Sequence, residues 1–158
     1  MPQHTFPHFR EVLGQDAAVD ALMMAHVALM QSQSPAESCH VMTAEALRTS
    51  GARVFAGRDG SGRVVAIGAF KPLADGAAEL KSMHCAAALR GQGLGRALLE
   101  HLRSEALASG LKSLWLETGS APCFGAARAL YLSEGFVECE PFGDYAADPL
   151  SVFMTAKL

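Results

Sequence analysis

Three glycines at alternate positions, Gly91, Gly93 and Gly95, stand between a stretch that alternates with period two and a stretch with helical period. Upstream, Ala78-Glu79-Leu80-Lys81-Ser82-Met83-His84-Cys85 reads as a central strand. Strict alternation puts Glu79, Lys81, Met83 and Cys85 on one face and Leu80, Ser82 and His84 on the other. Downstream, Leu94, Ala97, Leu98, Leu102, Glu105 and Ala106 share one side of a helix that Ser109-Gly110 ends with a left-handed cap. A strand, a glycine loop and a helix in that order leave the first-turn amides without intrahelical partners, aimed at whatever precedes the helix. With the positive end of the helix dipole and the flanking charges of Arg90 and Arg96, the run Arg90-Gly91-Gln92-Gly93-Leu94-Gly95-Arg96 suits a pyrophosphate. A merely flexible turn is the alternative, and two arginines at a helix start weigh against it.

Which phosphorylated ligand follows from spacing. Glu117 ends a later strand about 20 residues on, as a dinucleotide fingerprint asks. That fingerprint, G-x-G-x-x-G, needs a small residue at position 96 for close helix packing, and Arg96 stands there. The loop also comes too late in the chain to leave room for a second mononucleotide half. No G-x-x-x-x-G-K-[ST] run occurs, which removes a Walker loop.

The other segments supply a scaffold of the right size. Asp16 is placed to cap a helix running to about Met30, with Val19, Leu22, Met23, His26, Val27 and Met30 on one face. Turn formers from Ser32 to Ser38 interrupt it, and a short helix follows through Ala44 to Leu47. Arg53 to Gly57 and Arg63 to Phe70 form a hairpin around Asp59-Gly60. Ser113 to Glu117 is a short strand, Phe124 to Glu134 a helix ended by Gly135, and Phe136-Val137 and Ser151 to Thr155 closing strands. The 158 residues, half of them apolar, suffice for one core, with residues 1–8 as an N-terminal tail and 9–158 as a single domain.

The loop and its company resemble the GNAT superfamily of N-acetyltransferases. Arg90, Gly93 and Gly95 occupy the fixed positions of its R/Q-x-x-G-x-G/A signature, and Ala127-Arg128-Ala129-Leu130-Tyr131 leading into Gly135-Phe136 is similar to its A-x-x-L-Y-x-x-x-G-F signature. Glu79 to Met83, Leu116 to Gly119 and Pro141 to Tyr145 resemble a bacterial subgroup of undefined substrate. The resemblance implies an α/β acyl-CoA N-acyltransferase fold, a mostly antiparallel sheet of about seven strands flanked by about four helices. It implies acetyl-CoA as cosubstrate, lying in a V-shaped opening beside the loop, with Arg90 to Arg96 and the backbone of Met83, His84 and Cys85 binding it. Phe124 stands where many members carry Asn, which removes one side-chain hydrogen bond to the pantetheine arm.

Acetylating an amine requires a proton acceptor, an oxyanion site and an acid for the departing thiolate. By resemblance Glu79 stands at a base position and Tyr131 at the acid position, while Glu117 is the rival carboxylate or an anchor for the acceptor's ammonium. Either carboxylate is otherwise a solvated strand residue, and the tyrosine a packed helix residue. Glu37 and His40, with Ser34 and Ser38, fall where the family shapes its acceptor pocket, and Tyr145 with Asp144 falls on the opposite wall. These acidic and polar groups suit a small cationic amine. Adjacent strand residues point to opposite faces, so His84 cannot activate Cys85 for a ping-pong route. An acyl-CoA-binding sensor without turnover is the competing class, and a nucleotide-binding oxidoreductase the third.

Partners are bounded by what is scattered or lacking. The 13 Lys and Arg against 16 Asp and Glu form no basic stripe, so nucleic acid is not an expected partner. Cys39, Cys85, Cys123 and Cys139 show no paired spacing, and the six histidines no ligand spacing, so reduced thiols, a cytoplasmic setting and no metal are expected. No run approaches the roughly 18 apolar residues of a membrane helix. By resemblance, the closing strands leave a homodimer open.

Overall fold

The computed structural model describes residues 7–34 and 44–158. Seven strands, β1 (His8–Glu11), β2 (Arg53–Arg58), β3 (Val64–Pro72), β4 (Ala77–Cys85), β5 (Ser113–Gly119), β6 (Val137–Cys139) and β7 (Ser151–Lys157), make one sheet in the order β1-β2-β3-β4-β5-β7-β6. Among the described strands only the β4–β5 pair is parallel. The helices described are α1 (Ala17–Gln33), α2 (Ala44–Thr49), α3 (Leu94–Ala108) and α4 (Gly125–Ser133). This is the expected mostly antiparallel α/β architecture. The sheet takes in His8, which the sequence put in the tail: it pairs with Arg58.

Local chemistry sets the helix ends. Asp16 Oδ1 accepts from the amides of Ala18 and Val19 at 3.1 and 3.2 Å, capping α1, whose Val19, Met23 and His26 turn inward. α3 and α4 both stop at left-handed glycines, Gly110 (φ 82°) and Gly135 (φ 88°), with Leu111 N–H bonding Ala106 O and Phe136 N–H bonding Tyr131 O.

Two apolar clusters lie on opposite faces. Val19, Met23 and Leu47 of the first two helices cover one face with Ile67 and Ala69. Leu98, Leu99 and Leu102 of α3 cover the other with Phe70, Ala78, Leu80, Leu114 and Leu116. Burial on that scale, at about 25 cal/mol per Å² of apolar surface, is what holds the layers together.

β4 departs from the expected alternation. Ala69 pairs with Lys81 but Ile67 pairs with His84, so three steps on β4 face two on β3, and Ser82 takes φ 56°. This β-bulge inverts the phase of every side chain after it. Met83 and Cys85 therefore pack against the α3 cluster with Leu80, and His84 turns to the α1 face. The predicted grouping of Glu79 and Lys81 with Met83 and Cys85 is thus wrong. Opposite the bulge, a Cβ on Gly68 would come within 2.9 Å of Leu102 and 3.2 Å of Leu98, both fully buried. Gly68→Ala is expected to lower stability by about 1–3 kcal/mol through overpacking, measured by urea unfolding.

Candidate active site

The parallel pairing of β4 with β5 covers only Ala77–Ser113, Ala78–Leu114 and Glu79–Trp115. Beyond it β5 stays bonded to β7 as far as Gly119, and β4 stays bonded to β3 as far as Cys85. The strands part between them, leaving facing edges unpaired with each other. Buried backbone groups need partners, and this wedge offers them to an extended ligand.

The glycine loop lies at the wedge's end. Gly91 and Gly93 adopt φ 77° and 82°, a conformation glycine takes without Cβ strain, and Gly93 is the N-cap of α3. Ala97 N–H bonds Gly93 O, so the amides of Leu94, Gly95 and Arg96 precede the first intrahelical bond. No acidic side chain stands in the first turn. The Leu94 side chain is buried in the core, and a Cβ on Gly95 would touch Leu130 of α4 at 3.4 Å. Gly91, Gln92 and Gly93 are exposed. The two arginines behave differently from each other. Arg96 pairs with Glu134 and Ser133 at the end of α4, which leaves its backbone N–H for an anion, while Arg90 Nε donates to Cys85 O at 3.3 Å.

On the face away from α3, β4 and β5 bring Glu79, Lys81 and Glu117 together. Tyr145, from the segment between β6 and β7, donates to Glu79 Oε2 at 2.6 Å, and Lys81 Nζ lies 3.2 Å from the same oxygen. Burial pushes the Tyr145 phenol up, and the hydrogen bond to Glu79 and the charges of Glu79 and Glu117 add to the rise. Trp115, Phe142, Tyr145 and Phe153 pack ring against ring around these groups, with centroids 5.3–5.9 Å apart. Burial raises the Glu117 carboxyl to about 7; the Ser151 hydroxyl opposes the rise, the Glu79 charge adds to it, Lys81 opposes and Asp148 adds. Ser151 Oγ is buried beside it without a hydrogen bond of good geometry.

The opposite side of the wedge is different. Tyr131 of α4 packs edge-to-face on Phe136, with its hydroxyl 3.7 Å from Met83 Sδ. Burial, and then the Cys85 charge, push this phenol up to about 12, so it keeps its proton at neutral pH. Burial takes the Cys85 thiol to about 11 against the opposing charge of Arg90, and His84 is turned away from it. Among the described residues Cys85 is therefore no activated nucleophile.

His84 instead meets His26 of α1, Nδ1 to Nδ1 at 3.2 Å, both rings buried. Burial, the neighbouring His84 and Arg90 lower His26 to about 4, so the pair is neutral at physiological pH and one Nδ1–H donates to the other ring. Among the described residues no three His, Cys, Asp or Glu come together as metal ligands, and no helix is long and apolar enough to cross a membrane. Glu37 and His40 lie outside the described residues. Asp144 is exposed.

Of the residues read from sequence, the wedge thus unites Glu79, Glu117 and Tyr145 on one side and Met83, Cys85 and Tyr131 on the other. Lys81 and His26 carried no assignment. The only signal for Lys81 was its shared strand face with Glu79; His26 was read as part of a core stripe, which it also is.

Residues 50–138 match the acetyltransferase (GNAT) domain family. The chain is 41% identical over 140 residues to the uncharacterized N-acetyltransferase YsnE of Bacillus subtilis (strain 168), covering 89% of this chain and 92% of that one. It is 42% identical over 126 residues to an IAA acetyltransferase of Azospirillum brasilense, covering 78% and 80%. A GNAT family acetyltransferase from Elizabethkingia anophelis, solved with acetyl-CoA bound, shares the fold with a TM-score of 0.71 over 98% of this chain and 99% of that one, at 17% identity. With its wedge, its glycine loop and these relatives, the chain belongs to the GNAT family and is an acetyl-CoA-dependent N-acetyltransferase.

Proposed function

We propose that the chain moves the acetyl group of acetyl-CoA directly to the primary amine of a small acceptor, in a ternary complex. Glu117 takes the proton of the attacking amine, and Tyr131 gives one to the departing thiolate. The nitrogen bonds to the thioester carbon, the carbon–sulfur bond breaks, and CoA leaves as the thiol.

The observation that carries this reading is the pairing across the wedge of a carboxyl near neutrality with a phenol that stays protonated. A general base works best with an affinity for protons close to ambient pH, and an acid must still hold its proton. Glu79, the other base considered, is committed to Lys81 and Tyr145 and serves as a charge. Backbone amides of Met83, His84 or Cys85 on the unpaired edge of β4 are available to the oxyanion. The pyrophosphate would rest on the amides of Gly91 to Arg96, with Arg90 beside it. Two carboxylates among aromatic rings suit a cationic amine, and the IAA relative supports a small molecule as acceptor.

Release of CoA thiol on a panel of amines tests the activity. Acetyl-CoA binding without amine-dependent release would favour a sensor. Tyr131→Phe is expected to lower kcat by about 10²-fold and leave the Kd for acetyl-CoA unchanged. Equal turnover would remove the acid role.

A further inference from the structure

Lys81 is buried more deeply than a lysine without a task, with 12% of its side chain exposed, and Glu79 beside it has 8%. Such a pair persists only when each charge is answered at close range. Here two groups converge on one oxygen: Glu79 Oε2 receives Tyr145 Oη at 2.6 Å and Lys81 Nζ at 3.2 Å, and Lys81 is itself 3.5 Å from Tyr145 Oη. The Tyr145 ring lies under the ammonium, 5.9 Å from centroid to Nζ. Glu79 is therefore fixed in position.

Glu117 lies two residues beyond Trp115, the β5 partner of Glu79, on the same face. The groups that bear on it are Glu79 and Lys81 from β4, Asp148 and Tyr145 from the segment before β7, and Ser151 from β7. Two of these, Glu79 and Lys81, are opposite charges locked to one another, and they push Glu117 in opposite senses.

We propose that Lys81 is a positioning residue for acetyl transfer: it holds Glu79 in place, and the resulting fixed ion pair sets how readily Glu117 takes the acceptor's proton. The inference rests on Glu117 being the base, yet neither Lys81 nor Glu79 touches the reacting atoms. An ion pair that only stabilised the strand would, when either partner is removed, move the Glu117 titration without moving the acidic limb of kcat/KM.

The test is carboxyl carbon NMR of the full chain labelled with [13C]glutamate, without any acceptor, with Glu117→Gln identifying the Glu117 resonance. Glu79→Gln is expected to lower the Glu117 midpoint by about one pH unit, since a repelling charge goes and Lys81 is left unanswered. Lys81→Met is expected to raise it by a similar amount, and Lys81→Arg to keep it near the wild-type value. If Lys81→Met fails to fold, Glu79→Gln and Lys81→Arg still decide the matter. Shifts of the same sign in Glu79→Gln and Lys81→Met, or none in either, would overturn the proposal. With any amine the wild type acetylates, the acidic limb of kcat/KM should move with the same signs. Failure of the wild type to turn over amines would strike the activity and leave the titrations standing.

Discussion

Replacing Gly93 by valine is expected to abolish acetyl-CoA binding, weakening it by at least about 10²-fold, which is the loss of two charge-assisted hydrogen bonds. Gly93 sits at φ 82° as the N-cap of α3, and an added Cβ would meet nothing within 4 Å. The protein itself therefore has room for a side chain there. What valine changes is the backbone, since a β-branched residue resists positive φ, and the space in front of the first-turn amides. Both effects fall on the anion site and spare the core. Calorimetric titration of acetyl-CoA reads the loss, and an unchanged circular dichroism spectrum shows that the fold survives. Unchanged affinity would mean that the pyrophosphate rests elsewhere.

Glu117→Gln is expected to lower kcat/KM on the order of 10³-fold with acetyl-CoA affinity intact, as for loss of a positioned general base. The pH dependence carries a sign that a structural role lacks. Burial raises the carboxyl to about 7, so the proton-accepting form is the minority below neutrality and the majority above it. Wild-type kcat/KM should therefore rise as pH increases through about 7, and the residual rate of the variant should show no such limb. A variant that kept the same limb would assign it to another group.

Much of this was legible because it rests on local patterns. The strand, the glycine loop and the helix from Leu94 are written in a change of period from 2 to 3.6, and the signature around Tyr131 ties α4 to the same site. Asp16 as an N-cap and Gly110 and Gly135 as helix ends are likewise local chemistry. The bulge at Ser82 was not legible. A serine at φ 56° is nothing that its neighbours in sequence announce; it is imposed by pairing with β3 opposite Gly68. Because a one-residue insertion inverts every later side chain, missing it moved Met83, His84 and Cys85 to the wrong faces. The partnership of Lys81 with Tyr145 spans 64 residues, and that of Arg96 with Glu134 spans 38, so neither follows from spacing. Choosing between Glu79 and Glu117 likewise needed the charges that the fold gathers around each.

The central claim is that CoA runs from the amides of Gly91 to Arg96 through the gap between β4 and β5, bringing its sulfur to Tyr131. A crystal structure of the CoA complex tests it most directly. The expected result is pyrophosphate oxygens on the α3 N-terminus, pantetheine along Met83 to Cys85, and the sulfur within hydrogen-bond reach of the Tyr131 hydroxyl, with Glu117 across the gap. A sulfur placed away from Tyr131, or a pyrophosphate away from the glycine loop, would contradict it.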